Sequence, residues 1–199
     1  MGSGFACQSP SSRHPYLEEW MADNGKLKVL STTAMIDDLV ARIGKERINH
    51  LALIEGEIDP QTYEIVKGDD EKFSQAHIVF YNGLGLEHGA SVSLKIQKHC
   101  LSIPIGEKIL QKRASEALSK ENQIDPHVWM DVSLWKEAVD PIVETLSQKD
   151  PEGRSFFEQN GFALKKEMDL LHEKILTELS KIEDKKKYLV TSHDAFNYF

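Results

Sequence analysis

Cysteine is scarce in this sequence. Cys7 and Cys100 are the only two among 199 residues, and their spacing makes neither a metal-binding nor a redox motif. Long apolar runs are missing too, so no stretch is suited to cross a membrane as a helix. Basic residues are outnumbered: 24 Lys and Arg stand against 32 Asp and Glu, for a net charge of -8. That balance excludes nucleic acid as the main partner, because phosphate binding needs clustered Lys and Arg. The one basic run, Lys185 to Lys187, follows a long helical stretch and reads as compensation of a helix dipole. Neither H-E-x-x-H nor a nucleophile elbow occurs, which takes away the usual motif grounds for a hydrolase.

What remains is the composition of a globular chain, 40% hydrophobic and 28% charged. Residues 1–25 are rich in Ser, Pro and Gly and read as a mobile tail. Met1-Gly2-Ser3 resembles a cloning scar. Cys7 lies in "GFACQSPSS", where it fits either a lipid-anchor cysteine or an ordinary tail cysteine. Cys100, in "HCLSIP", is expected as a buried thiol.

From residue 26 onward, β-branched runs alternate with helical spacings. "KLKVLSTT", "INHLALIE" and "AHIVFYNG" read as strands, and "HCLSIP" as a short strand or extended segment. Ile36, Leu39, Val40 and Ile43 follow a helical period that Gly44 ends. Helices are expected over 63–75 and 86–97, then on the face Trp135, Ala138, Val139, Ile142, Val143 and Leu146, kinked at Pro141. Asp150-Pro151 starts a long helix with Leu164, Met168, Leu171, Ile175, Leu179 and Ile182 on one side. "YLVT" is expected as a last strand, and Asp194 as the start of a helix too short to bury a face, as in a piece of a larger protein. The alternation predicts an α/β fold, a doubly wound parallel sheet of about four strands with flanking helices. Ligands of such sheets bind beyond the C-terminal ends of the strands.

One tripeptide occurs twice: Ile58-Asp59-Pro60 before Gln61, and Ile124-Asp125-Pro126 before His127. Proline stiffens the turn and pushes the residue before it into an extended shape, so the following side chain is aimed before a ligand arrives. His127 is therefore a candidate metal ligand, with Asp125, Asp131 or a backbone carbonyl to orient its second nitrogen. His193, just past the last expected strand, is a second candidate. Gln61, past strand two, is a third. Its amide oxygen is a harder donor than imidazole and favours manganese or iron(II) over zinc. These donors leave the coordination sphere unfilled, so at least one carboxylate is expected from elsewhere.

Four blocks in this order, "IDPQTYE", "FYNGLGLEHGA", "IDPHVWMD" and "YLVTSHDAFNYF", resemble the metal-binding proteins of ABC importers, the TroA/ZnuA-like family, and within it the chlamydial branch. The resemblance runs from Lys26 to Phe199. It implies the N-terminal lobe of a two-lobed protein, residues 26–199, with the C-terminal lobe absent. It further implies capture of manganese, iron or zinc in the periplasm or on the outer face of a bacterial membrane, and delivery to an inner-membrane permease. His127 and His193 match two ligand positions, and Gln61 stands where most members have a histidine. No organic cofactor and no enzymatic activity are expected, and the protein is expected to be monomeric, with Cys7 as a candidate lipid anchor. Three rivals compete. "NGLGLEHG" suggests a nucleotide-binding loop, although G-x-G-x-x-x-G is one residue too long and follows the third strand. A metal-assisted hydrolase would use the His pair with Glu64 as base. A metal-free docking module would explain Gln61.

Overall fold

Four parallel strands form the centre of the molecule. The computed structural model describes residues 15–199 apart from Glu57, Glu121 and Asn122, so Cys7 and most of the expected tail lie outside the described residues. The strands are β1 (Leu27–Thr33), β2 (Ile48–Ile54), β3 (Ile78–Tyr81) and β4 (Ser102–Pro104), in the order β2-β1-β3-β4. β1 pairs with β2 from Leu27↔Ile48 and with β3 from Val29↔Ile78.

Side chains alternate across each strand, so both faces of this sheet are apolar. Val29, Ile78 and Phe80 face one core, shared with helix α2 (Ala34–Gly44), α5 (Ile105–Lys112), α7 (Val139–Lys149) and the first half of α8 (Arg154–Ser180). Leu30, Leu51 and Val79 face the other, with α1 (Pro15–Met21), α3 (Asp69–Gln75) and α4 (Ala90–Lys98). This is the doubly wound arrangement. Strand order reverses beside β1, so the crevice for ligands opens beyond the C-terminal ends of β1 and β3.

Several expectations need correction. Pro15–Met21 is helical, and Trp20 is buried, its indole N–H donating to the Val29 carbonyl at 3.1 Å. The core therefore claims part of the expected tail. Cys100 is exposed; it occupies the turn after α4, where His99 makes the anchoring bonds to Ala76 and Leu101. The helix expected over 63–75 begins only at Asp69, and α5 was not foreseen at all. Tyr188–Thr191 is not a strand, and no helix starts at Asp194. Both patterns are present, but Tyr188, Leu189 and Val190 are exposed, and the segment from Asp194 is held by Asn197 and Tyr198 contacts rather than by a helix.

The helical run is interrupted one turn before Pro141. α6 (Val132–Trp135) gives way to a 3-10 turn, Lys136–Ala138, before α7 starts. The proline ring crowds the carbonyl four residues back, that of Glu137, and offers it no N–H. The apolar stripe of α8 is buried only at Leu164 and Met168; Leu171 is 47% exposed. At 1.5 Å per residue, 27 residues span about 40 Å, against about 16 Å for the eleven-residue α2 and α7 beside it. The second half of α8 outruns the lobe. Lys185 and Lys186 lie past its end and pair with Glu183.

Candidate metal centre

Both copies of Ile-Asp-Pro fold into the same turn. Asp59 accepts a hydrogen bond from the Gln61 backbone N–H at 2.9 Å, and Asp125 accepts one from the His127 N–H at 3.0 Å. An aspartate bonding the backbone two residues on is a standard turn device, and proline holds the step between. The copies differ in what the fourth side chain then does.

In the second copy, Asp125 Oδ1 also takes the imidazole of His127, 2.6 Å from Nδ1. A carboxylate accepts, so the proton sits on Nδ1 and Nε2 is left as a bare nitrogen donor. Burial works against the charge of Asp125. Hydrogen bonds from Asn197, the His127 backbone and the His127 ring outweigh it and hold the carboxyl below its ordinary value. His127 is buried, and Trp129 stands edge-on to its ring, centroids 5.2 Å apart.

His193 meets it from 66 residues downstream, with the two Nε2 atoms 3.3 Å apart and the rings at 80°. At that distance the protonated Nε2 of one ring can donate to the bare Nε2 of the other. Two imidazoles each about 2.0–2.1 Å from a tetrahedral ion stand about 3.3–3.4 Å apart. The observed 3.3 Å matches that span as well as a hydrogen bond between the rings.

The neighbouring loop supports this geometry. Asn82, buried at the end of β3, donates from Nδ2 to the Pro126 carbonyl at 3.1 Å, fixing the peptide that enters His127. Gly83, Leu84 and Gly85 all have positive φ and wrap the chain around Glu87. Glu87 accepts from Thr32 at 2.7 Å and from the Asn82 and Gly83 N–H groups at 2.8 and 2.9 Å. Burial pushes its carboxyl up, and these donors pull the other way. The N–H groups that a phosphate would need are taken by the protein's own carboxylate, which removes the nucleotide-loop expectation.

Gln61 lies on the same rim, half-buried in the turn after β2. Its loop is tied down by the Tyr63 hydroxyl on Asp69 (2.6 Å) and by the Ile65 N–H on Ser91 (3.1 Å). Among the described residues no hydrogen bond joins Gln61 to either imidazole, and no group of three or more His, Cys, Asp or Glu is placed to hold a metal. Glu64 bonds Ser91 rather than the histidines. Of the orienting groups expected for His127, the structure selects Asp125; Asp131 instead caps α6 through the Ser133 and Leu134 N–H groups. Trp129 stands against His127, whereas Trp135 lies in the core. His50, His77 and His99 have structural partners. Asn82, Asn197 and Tyr198 were not singled out from sequence; an asparagine or tyrosine near a motif carries no ligand signature of its own.

The pattern of the ZnuA family, zinc-uptake complex component A periplasmic, matches residues 29–199. The chain belongs to the ZnuA family. It is 39% identical over 171 residues to the metal-binding protein YtgA of Chlamydia trachomatis, covering 86% of this chain and 52% of that one. The manganese-binding lipoprotein MntA of Bacillus subtilis is 33% identical over 182 residues, covering 87% and 57%. The crystal structure of Fe(III)-bound YtgA superposes with a TM-score of 0.82 at 39% identity, over 85% of this chain and 60% of that one. The periplasmic zinc-binding protein TroA of Treponema pallidum gives 0.80 at 33% identity, over 86% and 61%. The ZnuA-family fold expected from the sequence is thus matched, and the chain spans about half the length of the curated relatives just named. Among the described residues no helix is long and apolar enough to cross a membrane.

Proposed function

We propose that this chain is the metal-capturing lobe, residues 26–199, of an extracytoplasmic solute-binding protein that takes up a divalent ion and hands it to an ABC permease. The observation that carries this is the His127–His193 pair, 3.3 Å apart at Nε2 with one ring locked by Asp125. The names of the ZnuA-family relatives, which mention manganese, zinc and Fe(III), support a transition-metal cargo.

The chemistry is coordination, not catalysis. His127 and His193 donate nitrogen, Gln61 donates an amide oxygen, and a carboxylate from a second lobe joined through α8 completes the sphere. The ion is cargo, and no organic cofactor takes part. The protein works as a monomer in the periplasm or on the outer face of the membrane, anchored there through Cys7. Titration calorimetry with manganese, iron(II) and zinc tests the proposal. Metal binding lost on His127→Ala and on His193→Ala supports it. Unchanged binding in both variants, or turnover of an ester that needs Glu64, contradicts it.

A further inference from the structure

The β-hairpin that leads into His127 has an irregular last rung. Its strands, β5 (Ser119–Lys120) and β6 (Gln123–Ile124), pair Ser119 with Ile124 and Lys120 with Gln123. The next residues along are Leu118 and Asp125. In an antiparallel ladder, such a hydrogen-bonded pair exchanges two bonds. One is present: the Asp125 N–H donates to the Leu118 carbonyl at 2.9 Å. In place of the return bond stands a hydroxyl. The Leu118 N–H donates to Tyr198 Oη at 3.0 Å, and Tyr198 Oη donates to the Asp125 carbonyl at 3.2 Å.

A second contact from the same segment reaches the same residue. Asn197 Nδ2 donates to Asp125 Oδ2 at 2.8 Å while Oδ1 holds the His127 ring. One carboxylate thus joins the two segments that carry the imidazoles. Local bonds keep the run from His193 to Asn197 compact: Ala195 N–H to the His193 carbonyl at 3.0 Å, and Asn197 Nδ2 to Asp194 Oδ1 at 3.1 Å. Residues 188–199 contain no helix or strand to hold His193.

We propose that Tyr198 and Asn197 are positioning residues, a clasp on the open hairpin rung and on Asp125 that sets His193 against His127 before an ion arrives. This rests on the metal-donor role of the two histidines. Preorganisation of this kind raises affinity by removing the ordering cost from the binding step. The clasp bonds reach Leu118 and Asp125 and not the imidazoles themselves. Tyr198→Phe keeps the ring packed against the core cluster and removes only the hydroxyl.

The test uses the full chain, zinc as probe, and amide hydrogen exchange of the metal-free protein. The Leu118 amide is expected to be protected in the wild type and to exchange faster in Tyr198→Phe. Zinc affinity is expected to fall about 10- to 100-fold in Tyr198→Phe and in Asn197→Ala, with the melting temperature little changed. Asn197→Asp is expected to lose more than Asn197→Ala, because it faces Asp125 with a second carboxylate; a side chain that merely filled space would not distinguish the two. Equal Leu118 exchange in wild type and Tyr198→Phe, or wild-type zinc affinity in both clasp variants, overturns the clasp. Zinc binding that survives His127→Ala and His193→Ala overturns the metal-donor role instead. Leu118 exchange tells the two failures apart, because it needs no ion.

Discussion

Asp125 shows how much one side chain can specify. Its two oxygens fix a turn, a tautomer and a distant segment at once. Asp125→Asn keeps the shape but removes the charge that holds the Nδ1 proton, and metal affinity should fall about 10- to 100-fold by calorimetric titration. Unchanged affinity would mean that the ring orients itself. Gln61→His replaces an amide oxygen by imidazole and should tighten zinc more than manganese, since the softer donor suits zinc better. No tightening, or equal tightening for both ions, removes Gln61 from the coordination sphere. His127 was legible as a candidate because Asp-Pro-His is a stiff, recognisable turn, whereas His193 was singled out as following a strand that does not form. The residues that hold the His127 turn were not legible, because their partners are carbonyls and N–H groups brought close only by the fold.

Among the elements, α4 and the Gln61 loop depend on a missing side chain. A Cβ on Gly89 would stand 2.2 Å from the Tyr63 carbonyl. Gly89→Ala must therefore push the loop off the helix start, at a cost of about 1–3 kcal/mol in denaturant unfolding; a wild-type midpoint would show that the loop yields freely. α2 and β2 are joined by His50 and Asp37, 2.8 Å apart. The hydrogen bond with Asp37 raises the His50 pKa above 6.5; burial opposes it and the Asp37 charge adds to it. With the folded pKa above the unfolded one, this contribution is complete below about 6.5 and is lost as pH rises through the folded value. His50→Gln should then cost about 0.5–1 kcal/mol more at about pH 5.5 than at about pH 8.5. A pH-independent cost would contradict the charged pair. Strands β1 to β3 and helix α2 were readable because each buries a regular apolar pattern. The end of α8 was read as helix and is helix although its apolar side is largely exposed, and Tyr188–Thr191 was misread as a strand, because periodicity shows which face wants covering and not whether anything covers it.

At the scale of the whole molecule, His193 reaches His127 without a strand of its own, whereas the parallel sheet sets the loops after β2 and β3 on one rim. The sequence order of strands and helices made that rim predictable. The 3.3 Å between the imidazoles was not, since it depends on a segment without regular structure. Two nitrogens and an amide leave positions for water, so this chain should bind zinc only weakly, and a submicromolar affinity would mean that the donors named here are incomplete. The most direct measurement is anomalous X-ray density from crystals soaked with zinc, manganese or iron, recorded at each metal's edge. A peak about 2.0–2.2 Å from both Nε2 atoms is predicted. Density elsewhere on the chain, with the two rings swung apart, would contradict the account.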